Sequence, residues 1–283
     1  MVEVHTSEVP IRPAATVMLV DDRPDLQVYM MERNANTVFA GGMWVFPGGS
    51  VDADDDPDLF QHISIHRTDA EASHLLDLPR GGLAYYIAAI REAFEEAGVL
   101  LALRRDTHEP LDLKDKATAT RFQAHRNDIN DSNRNFVEII DEENLILDAG
   151  EMHYVARWIT PVGPPRRFDA RFFIARMPKR QVPIHDDNEL VHSKWLSPDA
   201  ILDSVDAENM VLMSPTLRMI RCLARFTSAD DVIASAASNL ADERARVNEA
   251  REIVLPGEPG YESADESIEN GWVRLRPLPL HGK

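Results

Sequence analysis

Short apolar runs separated by turn-forming residues predict a series of β-strands. Residues 14–20 and 26–32 flank a polar cluster with a proline at residues 21–24, and together they predict a β-hairpin. Residues 43–46 form a third short apolar run, which lies between two glycine pairs. Further strand-like runs follow at residues 154–160, 168–176 and 190–196.

One segment has a clear helical period. From Ile87 to Ala97 the apolar residues recur at intervals of three or four, which predicts a helix over residues 83–97 with one apolar face. Gly98 follows directly, and glycine at this position favours the left-handed conformation that ends many helices. The apolar face is expected to pack into the core, which fixes the direction of the polar face.

Other segments predict helices with less apolar character. Residues 112–143 are charged, and their apolar residues are too sparse for a core helix, so one or two surface helices are expected. Ser197 and Pro198 are typical of a helix start. Two more helices are expected at residues 213–226 and 228–252, before a proline-containing tail over residues 253–283.

Composition and charge narrow the class of protein. The chain has 283 residues, 44% of them hydrophobic, which is enough for a globular protein with a core. The net charge of −18 argues against nucleic acid and anionic membranes as partners, although metal ions and arginines could hold a small anionic substrate. The single Cys222 excludes a disulfide framework and suits a reducing compartment. Without a signal peptide or a long apolar run, a cytoplasmic location is expected, and a homodimer remains open.

The candidate chemistry lies on the predicted helix 83–97. Because residues i, i+3 and i+4 of a helix share one face, Glu92, Glu95 and Glu96 form one patch of three carboxylates. Such close like charges repel each other, and a bound Mg²⁺ or Mn²⁺ would remove the conflict, because these ions favour carboxylate oxygens. In an acidic chain the simpler interpretation is a solvated surface, so this cluster alone is a weak indication of a metal site.

The surrounding residues strengthen the metal hypothesis. Arg91 precedes the acids, Gly98 closes the helix, and the sequence Pro-Gly-Gly at residues 47–49 lies upstream after a short strand. This combination resembles the signature of the Nudix hydrolases, whose second half matches residues 91–99. The resemblance implies a Nudix α/β/α sandwich, in which a mixed sheet lies between helices and carries extra helical insertions.

The signature is interrupted in this chain. Arg91 follows Gly49 at a much longer distance than an uninterrupted signature allows, so residues 51–80 are interpreted as an insert. The upstream glutamate of the signature is not evident, and Asp52 and Asp55 are both candidates for its place. This layout resembles the coenzyme A diphosphatases, and the likeness extends over about residues 14–225.

The resemblance also assigns roles to residues of the box. It implies that Glu92, Glu95 and Glu96 bind Mg²⁺ or Mn²⁺ and take part in catalysis. Arg91 is expected to anchor loop and helix by pairing with an acid of the box. Gly48 and Gly49 are expected to let the backbone turn tightly where metal and phosphates bind.

Three residues outside the helix are further candidates for the site. Glu189 precedes a predicted strand, where Nudix folds often have a distal base or metal ligand, and a solvated loop acid is the equal alternative. Arg33 ends a predicted strand near the site and could contact an anionic ligand. Arg166 could bind phosphate, for which arginine is well suited. A salt bridge is the alternative for either arginine.

We therefore expect a metal-dependent diphosphatase that acts on a nucleoside diphosphate linked to another moiety. Coenzyme A or an acyl derivative is the first substrate expected, and ADP-ribose or a dinucleotide is the alternative. A catalytically silent, nucleotide-binding Nudix regulator is a second hypothesis, motivated by the interrupted signature. The expected domain plan is a Nudix domain over residues 10–227, with a helical insertion at 105–145, and a tail over 228–283 that packs on it.

Overall fold

A mixed β-sheet lies at the centre of the protein, with helices on both of its faces. The structure, a computed structural model, describes residues 9–37, 40–186, 190–265 and 270–278. In chain order the strands are β1 (Ile11–Asp22), β2 (Leu26–Arg33), β3 (Trp44–Val45), β4 (Gly48–Ser50), β5 (Ser64–Ile65), β6 (Ala102–Arg104), β7 (Leu145–Asp148), β8 (Met152–Ile159), β9 (Arg167–Arg176), β10 (Leu190–Leu196), β11 (Glu243–Arg244), β12 (Arg246–Val247), β13 (Ile253–Val254) and β14 (Gly271–Val273). The α-helices are α1 (Pro57–Phe60), α2 (Asp69–Leu75), α3 (Gly82–Ala97), α4 (Lys116–Asn130), α5 (Phe136–Glu142), α6 (Pro198–Asp206), α7 (Ser214–Leu223) and α8 (Ala229–Ala237).

The central sheet has the strand order β10-β2-β1-β9-β8-β14-β11, with β3 paired to β2 and β4 paired to β1. β1 and β2 form the predicted antiparallel hairpin, in which Val20 lies opposite Val28. β1 runs parallel to β9, whereas β8 and β9 are antiparallel. The predicted strands at residues 14–20, 26–32, 43–46, 154–160, 168–176 and 190–196 and the predicted mixed α/β sandwich are confirmed.

The two faces of the sheet carry separate apolar cores. Alternate residues of a strand point to opposite faces, so the uninterrupted apolar run in β1 requires cover on both sides. Val17 and Leu19 pack in the core that contains α3. Met18 and Val20 pack in the second core, which contains residues of α7 and α8.

Helix α3 carries the candidate carboxylates and is deeply packed. Its apolar stripe, including Ile87, Ile90 and Phe94, is buried against the sheet. Gly98 has a φ of 64° and its N–H donates to the carbonyl of Phe94 at 2.9 Å, which ends the helix as predicted. Burial of one stripe leaves the glutamates on the face next to β4.

The helices α4 and α5 form in the charged segment, but the expectation that they lie only on the surface is wrong. Phe122 of α4 and Phe136 of α5 are buried, and their rings contact Phe94 of α3 at centroid distances of 6.2 and 6.4 Å. Ile139 and Ile140 of α5 are also fully buried. A few large side chains therefore suffice to dock this helical insertion on α3, although most of its residues are polar.

The insert between the two parts of the signature is ordered around two short helices, α1 and α2. Two arginines from the sheet side donate to carbonyls at the end of α2. Arg171 of β9 donates to the carbonyl of Leu76 at 3.2 Å, and Arg274 donates to that of Leu75 at 2.8 Å. Both carbonyls belong to the helix end, where backbone acceptors lack intrahelical partners. The insert is thus fastened to β9 and to the chain that follows β14.

The C-terminal region differs from its prediction. The helix expected over residues 228–252 ends at Ala237, and the short strands β11 and β12 follow, because Asn239 takes a positive φ of 49° that a helix does not allow. β14 pairs with β8 in the central sheet. In the described part of the chain, no helix is both long and apolar enough to cross a membrane. The division of domains at residue 227 stays a prediction.

Candidate active site

The site lies where α3 crosses β4. β4 pairs antiparallel with β1, which places Gly49 opposite Ala15 and directly beneath the side chain of Glu92. A β-carbon added at Gly49 would lie 2.4 Å from Oε1 of Glu92. Only glycine lets the strand and the carboxylate approach this closely.

Arg91 ties the helix to the chain that follows β4. Its Nε and Nη2 atoms donate to the two carboxylate oxygens of Asp55 at 2.9 and 3.0 Å, and Nη2 also donates to the carbonyl of Ser50 at 2.9 Å. Asp55 is 1% exposed, whereas Asp52, 3.5 Å from Arg91, has a side chain that is 60% exposed. Of the two candidate acids, Asp55 makes the buried pair that joins the parts of the signature.

Two of the glutamates converge on one point. The Nη1 group of Arg91 donates to Oε1 of Glu92 at 2.9 Å and to Oε1 of Glu95 at 3.2 Å. Burial raises the pKa of Glu92 to about 7, against the opposing effect of the Arg91 charge. Burial also raises the pKa of Glu95. The fold therefore holds two buried carboxylates close together, and the positive charge of Arg91 between them offsets the cost of their burial and mutual repulsion.

Glu96 contacts the neighbouring residue of the same strand and lies apart from the other two glutamates. Its Oε2 atom accepts the Gly48 N–H at 2.8 Å, and its Oε1 atom lies 3.6 Å from Nη1 of Arg33. Its backbone carbonyl accepts the N–H of Asp186 at 3.2 Å. The structure therefore brings Arg33, Gly48, Gly49 and the three glutamates together, as the sequence predicts.

The donor set suits a hard cation, but its side chains are not yet arranged around one. Among the described residues, no group of three His, Cys, Asp or Glu side chains is placed to hold a metal ion. Glu92 and Glu95 converge, and Glu96 would have to turn from Gly48 to join them. Carboxylate oxygens are the ligands that Mg²⁺ and Mn²⁺ favour, so the residues fit such an ion by donor type.

Two predicted residues are not part of this cluster. Arg166 lies in the exposed connection between β8 and β9, one residue before Arg167, which pairs with Ile11. Gly49 pairs with Ala15, four positions further along β1, so Arg166 is more than about 13 Å away along the strand. Its substrate role stays a prediction. Glu189 lies outside the described residues.

One residue that the sequence does not single out contributes to the site. Arg126 of α4 is 2% exposed and donates from Nε to the carbonyl of Glu95 at 2.7 Å. Its Nη1 group donates to the carbonyl of Ile184 at 2.8 Å. It thereby fixes the C-terminal turn of α3, whose carbonyls lack helical partners. An arginine in a polar, charged segment gives no sequence signal for this role.

A mixed sandwich in which a glutamate-bearing helix is tied to a glycine strand by Arg91 defines the Nudix class. The chain belongs to the family described as the NUDT19 Nudix domain, whose model matches residues 56–223. A solved Nudix hydrolase from Alicyclobacillus acidocaldarius shares this fold with a TM-score of 0.65. That comparison covers 80% of this chain and 97% of that chain at 23% identity.

Curated relatives agree with this assignment. The human protein named acyl-coenzyme A diphosphatase NUDT19 is 28% identical over 237 residues, which cover 73% of this chain and 62% of the human protein. The Gallus gallus protein of the same name is 24% identical over 267 residues, covering 78% of this chain and 70% of that protein. The chain therefore spans less than two thirds of the length of the human relative.

Proposed function

We propose that this protein hydrolyses a phosphoanhydride bond in a nucleoside diphosphate linked to another moiety, with coenzyme A or acyl-coenzyme A as the first candidate. The observation that carries the proposal is the convergence of Glu92 and Glu95 above Gly49, held by Arg91 and Asp55. The names of the human and chicken relatives direct the choice of substrate. ADP-ribose and dinucleotides remain the alternative substrates, and a cytoplasmic location remains a prediction.

In the proposed mechanism the chain supplies position and charge. Glu92, Glu95 and Glu96 would hold Mg²⁺ or Mn²⁺, which when bound polarises the diphosphate and lowers the pKa of a water. One of these carboxylates, or Glu189, accepts the proton of the attacking water. Arg33 lies at the edge of the cluster, where its guanidinium can bind a phosphate oxygen. Because Gly49 has no side chain, the backbone of β4 leaves room for the reacting groups.

A substrate panel tests the proposal. The protein is incubated with coenzyme A, acyl-coenzyme A, ADP-ribose and dinucleotides, with Mg²⁺ and with Mn²⁺ at neutral to alkaline pH, and phosphate-ester products are measured by mass spectrometry. Glu95→Gln is expected to lower kcat by about a hundredfold or more with an unchanged circular dichroism spectrum. Glu138→Gln, which changes an exposed glutamate of α5, serves as the matched control. Parent-like turnover by Glu95→Gln would rule out the metal-site assignment.

A catalytically silent nucleotide-binding domain is the second candidate. It is favoured by the Arg91 guanidinium, which already occupies the point where Glu92 and Glu95 converge. This hypothesis predicts nucleotide binding without turnover in either metal. Calorimetric titration with Mn²⁺ separates the two candidates. The enzyme requires bound metal, so Glu92→Gln and Glu95→Gln should each weaken the affinity of the protein for Mn²⁺. The silent domain does not require metal binding at these residues.

A further inference from the structure

A cavity of about 350 Å³ lies beside the edge of the sheet, away from the glutamates. One wall is formed by β2 and β10, through Tyr29, Ser193 and Trp195. The other wall is the chain after β9, residues 178–183, together with Lys114. None of these residues has a place in the mechanism above.

The floor of this cavity is aromatic. The ring of Trp195 is half-buried and lies 5.5 Å from that of Tyr29, which is 2% exposed, so Trp195 provides the accessible aromatic surface. The guanidinium of Arg23 stacks over the Trp195 ring at 4.1 Å from its centroid. Aromatic rings and stacked arginines form the surfaces on which nucleobases pack.

The rim of the cavity is basic in a chain with a net charge of −18. Lys114 and Lys179 line it, and within the described residues neither forms an ion pair with an acid. Arg23 also lies at the rim, where it forms a salt bridge with Asp21 at 3.1 Å. Unbalanced positive charge beside an aromatic floor is suited to a phosphorylated nucleoside.

The cavity and the glutamate cluster lie on the same face of the sheet. Tyr29 and Arg33 are both on β2 and are an even number of residues apart, so their side chains point to one face about 13 Å from each other. A second connection runs along the chain from Pro183, which lines the cavity, to Asp186, whose N–H contacts the carbonyl of Glu96. A nucleoside joined to a diphosphate can span this distance.

We propose that this cavity binds the 3′-phosphorylated nucleoside end of the substrate, with the base at Trp195 and the Arg23 guanidinium that stacks on it, and the 3′-phosphate at Lys114 and Lys179. This inference rests on the proposed function and deepens it. It implies that the protein selects coenzyme A derivatives over ADP-ribose and dinucleotides, because those alternatives lack the 3′-phosphate. Selection comes from a site remote from the bond that is cleaved.

Calorimetric titration of the full chain tests the pocket without requiring hydrolysis. Adenosine 3′,5′-bisphosphate and adenosine 5′-monophosphate are compared, since neither contains a phosphoanhydride bond. The bisphosphate is expected to bind about tenfold more tightly, as one charge-assisted contact provides. Lys114→Ala and Lys179→Ala should each reduce this preference to about twofold, while binding of the monophosphate stays the same.

Lys116→Ala is the matched control. Lys116 is an exposed residue of α4, two positions from Lys114, and it does not line the cavity. This variant removes one charge close to Lys114 and should keep the full preference. Trp195→Leu, checked for folding by circular dichroism, should weaken both ligands. Equal affinity for the two ligands in the parent, or an unchanged preference in both lysine variants, would overturn the proposal.

Hydrolysis separates this inference from the proposed function. The parent is expected to hydrolyse coenzyme A with a kcat/KM about tenfold above that for 3′-dephospho-coenzyme A, and Lys179→Ala should reduce this difference to about twofold. Preferential binding of the bisphosphate without turnover of any substrate would contradict the enzyme and leave the pocket supported. Equal kcat/KM for the two coenzymes would contradict the pocket and leave the enzyme supported.

Discussion

The pair between Asp55 and Arg91 shows how single residues hold the site together. A guanidinium buried to 7% exposure requires acceptors for its donors, and here it has two oxygens of Asp55, one of Ser50 and one from each of two glutamates. Because Arg91 lies next to Glu92 in the chain, any movement of the pair moves the carboxylates. Stability and the geometry of the site are therefore linked at this residue.

Asp55→Ala is expected to destabilise the protein by about 3 kcal/mol, because it leaves Arg91 buried without its main partner. The comparison is Asp52→Ala, which removes an exposed acid at 3.5 Å from the same guanidinium and should cost less than about 1 kcal/mol. Urea unfolding followed by circular dichroism measures both free energies. Equal losses in the two variants would show that Asp55 is not the anchoring acid.

Replacement of each of the two adjacent glycines of β4 by alanine is expected to have different effects on stability and on kcat. At Gly48 the new β-carbon would lie 2.6 Å from the carbonyl oxygen of Ala15, a backbone atom of the neighbouring strand, so a loss of about 1–3 kcal/mol in stability is expected. At Gly49 it would meet only the end of the Glu92 side chain, which can turn away. Gly49→Ala should therefore keep its unfolding free energy and lose at least about tenfold in kcat. Urea unfolding and steady-state kinetics on both variants test this contrast, which the reverse pattern would contradict.

At the scale of elements, the sequence predicts those structures whose cause is local. The period of α3 and the stop at Gly98 are local, so the position of the three glutamates follows from residues 83–98 alone. The docking of α4 is not local, since it depends on Phe122 meeting Phe94 and on Arg126 reaching the carbonyl of Glu95. The sequence left the upstream acid of the signature open between Asp52 and Asp55, because it does not show which of the two is buried; in the folded chain Asp55 is buried and pairs with Arg91. The early end of α8 was missed because charged residues 240–252 fit a helix and a solvated strand equally well.

Arg126 connects the helical insertion to catalysis in a way that can be measured. Arg126→Ala removes the donors of two hydrogen bonds, leaves the carbonyls of Glu95 and Ile184 without this partner, and is expected to cost about 3 kcal/mol in stability. It should also lower kcat, because the carbonyl of Glu95 loses its donor and the last turn of α3 loosens. Lys116→Ala, an exposed residue of the same helix, is the control. A variant with parent kcat under conditions where it remains folded would contradict this coupling.

The contact between α4 and α5 predicts a pH dependence of stability. Burial raises the pKa of Glu143, but hydrogen bonds from Arg121 and His125 outweigh it, so the pKa lies below its ordinary value. Because its pKa is lowered in the folded state, the ionised Glu143 side chain stabilises the protein above the ordinary pKa of about 4.3. This stabilisation is lost as the pH falls through the pKa of the folded state. Glu143→Gln should therefore destabilise the protein more at pH 7 than at about pH 3.5. Urea midpoints of parent and variant at both pH values measure this, and a constant difference would contradict it.

At the scale of the whole molecule, the C-terminal region completes the sheet and one of its cores. Val232 of α8, Val273 of β14 and Leu275 are buried with Val155 and Ile174 of the central strands. Removing them would expose an apolar face of the sheet to water. We therefore expect residues 228–278 to be an integral part of the Nudix domain in this chain.

Truncation after residue 227 tests this expectation. The shortened chain should lack a cooperative thermal transition and should aggregate, because β8 loses β14 and the second core loses its cover. Thermal unfolding by circular dichroism and gel filtration are the measurements. Arg274→Ala in the full chain is the milder comparison, since it keeps β14 and removes the contacts of one side chain with Asp242, with the carbonyl of Leu75 and with the ring of Tyr154. A truncated chain that melts like the parent would contradict the assignment.

The direct pairing of Asp55 with Arg91 has a consequence for how such chains are recognised in genomes. Since the two residues hold the halves of the box in register, the turn between them at residues 77–80, in which all but Leu78 are exposed, can lengthen or shorten during evolution without moving Glu92. Searches that demand a fixed spacing will overlook such proteins. The informative pattern is an acid at the place of Asp55, counted forward from Gly49, followed after any interval by the arginine and its glutamates.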